Sequence, residues 1–123
     1  MKNIMNPIQI YHNPKCSNSR NALALIRELG HEPEVILYLN TPPTRQALQA
    51  IIQSTGGSAR PLMRSKEAIY AELGLDNPNL TEDALMDAML AHPVLMNRPI
   101  VITAKGTRVC RPPELVREIL PQS

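Results

Sequence analysis

There is no phenylalanine and no tryptophan among the 123 residues, and three tyrosines are the only aromatics. Any core must therefore be aliphatic. Cysteine is as scarce. Cys16 and Cys110 stand too far apart to suggest a disulfide framework or a zinc-type ligand set, and in a reducing compartment both rest as thiols. The three histidines, His12, His31 and His92, are isolated from one another, so no metal site is expected; His31 and His92 lie beside turn residues and are expected to face solvent. The net charge of +2 is small and its basic residues are scattered, which argues against a nucleic-acid partner. No apolar run approaches the length of a membrane span. Asn3, Asn6, Pro7 and Gln9 interrupt the start of the chain where a signal peptide would have its apolar core. A cytoplasmic protein of one domain, residues 1–123, is the expectation.

What is present is organised around one stretch, His12-Asn13-Pro14-Lys15-Cys16-Ser17-Asn18-Ser19-Arg20. It follows an apolar strand candidate over 8–11 and precedes an amphipathic helix over 21–29 that ends at Gly30. The continuous apolar run 35–39 predicts a second strand covered on both faces, and a βαβ unit makes these strands parallel. A helix from about Arg45 buries Leu48, Ile51 and Ile52 and stops at Gly56-Gly57. Short helical pieces follow over 59–63 and 67–73, and Thr81 caps a helix that runs through Leu90. Residues 44–92 therefore read as a helical insertion, and Met63, Met86, Met89 and Met96 read as core filler. Residues 98–103 and 107–110 form a hairpin about Lys105-Gly106. After Arg111-Pro112-Pro113, a last helix over 114–120 presents Leu115, Ile119 and Leu120 to the sheet. The order is βαβ, helical insertion, ββα: an α/β fold with a mixed four-stranded sheet.

The position of Cys16 between a strand and a helix favours a reactive thiolate, because helix N-terminal N–H groups stabilise negative charge. Ser19 stands where a Cys-x-x-Cys motif has its second thiol, so an oxidised adduct of Cys16 needs an external thiol to complete turnover. Arg64, Arg98 and Arg111 each fall at the end of a predicted element, and guanidinium forks suit tetrahedral oxyanions. By spacing alone, solvated surface charges are the better reading of all three.

Together with Tyr38-Leu39-Asn40-Thr41-Pro42-Pro43-Thr44-Arg45, Leu62-Met63-Arg64, His92-Pro93-Val94-Leu95-Met96-Asn97-Arg98-Pro99-Ile100-Val101 and Gly106-Thr107-Arg108-Val109-Cys110-Arg111-Pro112-Pro113-Glu114, the Cys16 stretch resembles the glutaredoxin-linked arsenate reductases over about 8–120. The resemblance implies a thioredoxin-like fold, with a cis proline at Pro99 beside the thiol. It implies that Cys16 attacks arsenate, that His12 and Ser19 tune the thiol, and that Arg64, Arg98 and Arg111 hold the oxyanion. Glutathione is the implied co-substrate and glutaredoxin the implied partner of a monomer without bound cofactor, metal, nucleic acid or membrane. Two other classes use related folds: general thiol–disulfide oxidoreductases, which do not need the arginines, and redox regulators that bind RNA polymerase, which typically carry a Cys-x-x-Cys pair.

Overall fold

The computed structural model describes residues 8–121, so the first seven residues, over which the signal-peptide question was raised, lie outside it. Two compact units make up the chain: one comprises the segment up to Tyr38 and the segment from Arg98, the other Leu39–Asn97.

In the first unit, strands β1 (Gln9–Tyr11), β2 (Glu34–Ile36), β3 (Ile100–Thr103) and β4 (Gly106–Val109) form a mixed sheet in the order β2-β1-β3-β4. β1 runs parallel to β2 and antiparallel to β3, and β3 and β4 are the expected antiparallel hairpin. Alternation along the strands points Ile10 and Val101 to one face. There they pack with Ile8 and Cys110, with Ala22 and Ile26 of helix α1 (Ser17–Glu28), and with Val116, Ile119 and Leu120 near the C-terminus. Ile26 is fully buried, so its truncation to Ala costs about 2–5 kcal/mol.

Three details depart from the expectation. Helix α1 starts at Ser17, four residues before the predicted 21. Ser, Asn and Ser in a first turn cost little, because the N–H groups there have no helical partner anyway. At its other end Gly30, at φ 93°, lets its own N–H reach Arg27 O and the His31 N–H reach Ile26 O, the paired bonds of a left-handed helix stop. Strand β2 ends at Ile36, leaving Leu37 and Leu39 40% and 43% exposed. As an edge strand it can extend only as far as β1, which bends into the Cys16 loop after the His12 N–H to Ile36 O bond. The last helical segment, Pro113–Glu118, is a 3₁₀ helix. Three residues per turn place Pro113, Val116 and Ile119 on the buried side, so Val116 takes the place expected for Leu115, which is half-buried. The Thr103 hydroxyl ties this segment to the sheet by donating to Ile119 O.

In the second unit, α2 (Arg45–Ser54) and α4 (Glu82–Ala91) are capped by Thr44 and Thr81, whose side chains accept from the N–H groups of Ala47 and Ala84. Leu48, Ile51 and Ile52 of α2 are buried as expected, and so are Leu85, Met86 and Met89 of α4. Between them lie a 3₁₀ turn, Arg60–Leu62, and the short helix α3 (Ala68–Glu72). Arg60 staples this region by donating to Tyr70 Oη at 3.0 Å, Leu75 O at 2.7 Å and Asn77 O. The unit also holds an antiparallel bridge between Met63 and Met96, flanked by bonds from the Arg64 N–H to Leu95 O and the Asn97 N–H to Leu62 O. Both methionines are buried.

Candidate active site

Cys16 is the N-cap of α1. The chain reaches it through a tight turn in which the Cys16 N–H donates to Asn13 O at 3.0 Å, with Pro14 second in the turn. No acidic residue occupies the first turn of α1, so nothing there opposes its positive end. The sulfur makes no fully formed capping bond, but it is half-buried among groups that favour its charge. Burial pushes the thiol up. The Ser19 N–H, the Arg98 charge, the Asn18 N–H and an Arg98 hydrogen bond together outweigh burial and hold it below its ordinary value. Arg111 adds an Nη1 at 3.8 Å, the long limit for a sulfur hydrogen bond, while the same nitrogen donates to Arg98 O at 3.1 Å. The thiol's acidity therefore rests first on Arg98 and the helix amides.

The sheet explains why two arginines so distant in sequence meet. In the β3–β4 ladder Ile100 faces Val109, and one step outward the Cys110 N–H donates to Pro99 O. The next step brings Arg98 and Arg111 abreast at the end of the hairpin. The peptide bonds following both, Arg98-Pro99 and Arg111-Pro112, are cis. The first was expected and the second was not; an Arg-Pro pair is the only sequence signal for it.

His12 and Ser19 also meet, though not at the sulfur through their side chains. Both are buried, His12 Nδ1 lies 2.7 Å from Ser19 Oγ, and the Asn13 N–H donates to the same oxygen at 3.0 Å. Burial first, then the charges of Arg27 and Arg20, push His12 below its ordinary value, so it is a neutral ring at neutral pH. Ser19 reaches Cys16 through its backbone N–H. Cys110 is wholly buried, and desolvation, with Glu118 adding to it and Arg108 opposing it, pushes its thiol up to about 12. Arg64 belongs to the second unit, where it pairs with Glu67 at 2.9 Å. His31 and His92 are half-buried, not exposed. Among the described residues no cluster of three or more His, Cys, Asp or Glu side chains could hold a metal ion. No described helix is long and apolar enough to cross a membrane.

Sequence reasoning missed Asn13 and Asn18, which act at this site through backbone groups and, for Asn13, through a turn. The pair Asn13-Pro14, a favoured start for such a turn, was the available signal.

One thiol at the head of the first helix, with a cis proline leading into β3, places the protein among the thioredoxin-like folds. The ArsC family model matches residues 11–119, and the chain belongs to that family. It is 54% identical to the arsenate reductase of Escherichia coli strain K12 over 97% of this chain and 84% of that protein. It is 50% identical to the uncharacterized protein YfgD of the same strain, over 92% of this chain and 96% of that one. The solved structure of an arsenate reductase from Vibrio cholerae superimposes with a TM-score of 0.89 at 47% identity, covering 94% of this chain and 98% of that one.

Proposed function

We propose that the protein reduces arsenate to arsenite, with Cys16 as nucleophile. The Cys16 thiolate attacks arsenic, an oxygen leaves with protons as water, and a sulfur–arsenic bond forms. A glutathione thiolate then attacks the Cys16 sulfur of the adduct: a sulfur–sulfur bond forms, the sulfur–arsenic bond breaks with its electron pair going to arsenic, and arsenite departs, leaving Cys16 and glutathione oxidised as a mixed disulfide. Glutaredoxin removes the glutathione and restores the thiol. The absence of a second cysteine in Cys16-Ser17-Asn18-Ser19 supports this dependence on outside thiols, since Cys110 is buried and strongly protonated.

The observation that carries the reading is the pairing of a depressed Cys16 thiol with two guanidinium groups, Arg98 and Arg111. A thiolate approaching a multiply charged oxyanion works against like-charge repulsion. Fixed guanidinium groups offset that repulsion most where charge accumulates during attack, so they stabilise the transition state beyond binding the substrate. Arg64 is the third member of this set by its match to the family pattern. His12 and Ser19 hold the turn and the first helical turn in place behind the thiol. The protein acts in the cytoplasm as a monomer with no resident cofactor.

The test is NADPH oxidation coupled to arsenate through glutathione, glutaredoxin and glutathione reductase. Wild-type protein should support arsenate-dependent oxidation and Cys16→Ser should abolish it. Absence of arsenate-dependent turnover in a wild-type protein with a depressed thiol pKa would sink the assignment in favour of general thiol–disulfide exchange.

A further inference from the structure

Asn13 uses three polar groups to build the loop. Its carbonyl accepts the Cys16 N–H at 3.0 Å, its own N–H donates to Ser19 Oγ at 3.0 Å, and its side-chain Oδ1 accepts the Lys15 N–H at 3.0 Å. The first two are backbone bonds open to any residue but proline. The third belongs to the side chain and locks the middle of the turn, because an Asn oxygen accepting from the residue two positions on reproduces a backbone turn. Pro14 removes one rotational freedom from the same turn, and Arg20 closes it from the helix side by donating to Pro14 O at 2.9 Å. Cys16 is thus held at the N-cap from both sides, where a small displacement would swing its sulfur away from the Asn18 and Ser19 N–H groups that favour its charge.

We propose that Asn13 is a positioning residue for Cys16: its amide oxygen, by holding the Lys15 N–H, fixes the turn that presents the sulfur to the first N–H groups of α1. An aspartate could accept the same bond but would add a negative charge beside a developing thiolate, so the neutral amide suits the place. The inference rests on the reading of Cys16 as the nucleophile, yet it concerns the thiol itself and can be read without arsenate.

The experiment is the pH profile of iodoacetamide alkylation at Cys16, followed by mass spectrometry of the intact protein and its peptides, in wild type, Asn13→Ala and Asn13→Ser. Buried Cys110 serves in the same spectra as the reporter of an intact fold. Asn13→Ala should raise the Cys16 midpoint by about one pH unit, a roughly tenfold loss of thiolate below the midpoint. Asn13→Ser, whose hydroxyl can accept from the same N–H, should recover most of that shift. An unchanged midpoint in Asn13→Ala overturns the proposal, as does an equal shift in the Ser variant. Alkylation of Cys110 in Asn13→Ala would overturn it too, since the side chain would then be supporting the fold and not the thiol. An ordinary midpoint of about 8.5 in wild type would instead remove the activated thiol on which the proposed function rests.

Discussion

Replacing Ser19 by alanine separates two roles that coincide at one residue. The hydroxyl sits in a fully buried position between His12 Nδ1 at 2.7 Å and the Asn13 N–H at 3.0 Å. Its removal strands a buried ring nitrogen and the backbone donor of half-buried Asn13. Leaving one buried group unsatisfied costs about 1–3 kcal/mol, and the two share a single hydroxyl, so about 2 kcal/mol is the expected loss. Unfolding entropy near 2.1 cal/mol/K per residue gives about 0.26 kcal/mol/K for a chain of this length, so the melting temperature should fall by about 8 °C. The Cys16 alkylation midpoint should move less than in Arg98→Lys, because the Ser19 group that faces the sulfur is its backbone N–H, which alanine keeps. Thermal and urea denaturation of Ser19→Ala, His12→Phe and the double variant would measure both the loss and its origin. A coupling energy of at least about 0.5 kcal/mol between the two sites is expected. Additive single effects, or a fall in melting temperature under about 2 °C, would refute the buried bond as the source of stability.

Wild-type Cys16 should alkylate with a midpoint below that of an ordinary thiol, since its pKa is held below its usual value, whereas Cys110, with a thiol pushed up to about 12, should stay unmodified until the protein unfolds. A profile showing both cysteines reacting together in the folded protein would contradict the burial of Cys110. Arg64→Lys, Arg98→Lys and Arg111→Lys should each lower kcat/KM for arsenate by about tenfold or more, because lysine keeps the charge but loses the fork. Exposed Arg117→Lys is the control that should leave it unchanged. Arg45 is a poorer control than its sequence position suggests, since it is ion-paired with both Asp83 and Asp87. Equal losses at Arg117 would place the oxyanion site elsewhere.

The order of elements was legible from periodicity because each strand and helix carries its own local signal. Thr81 caps where a cap was expected, Thr44 caps the helix expected from about Arg45, Gly30 ends α1, and the Lys105-Gly106 turn makes the hairpin. Cys16 was legible for the same reason: its neighbours in sequence are its neighbours in space. The misjudged boundaries depended on partners. Leu37 and Leu39 look like buried strand residues until β1, too short to pair with them, is seen beside β2. Leu115 looks inward-facing only at an α-helical pitch, and Pro112-Pro113 begins a 3₁₀ segment in which Val116 takes its place.

Taken alone, the sequence determined the aliphatic core, the βαβ and ββα units about a helical segment, and a solitary thiol where strand meets helix, since all of these follow from spacings of a few residues. Only the tertiary structure decided which arginines meet that thiol: Arg98 and Arg111 stand abreast because the β3–β4 register aligns them, and no local pattern encodes a register. It also decided that the Ser19 hydroxyl serves a buried neutral histidine while the Ser19 backbone serves the sulfur. Direction and burial are properties of packed neighbours, and packing brings together residues that the chain keeps far apart.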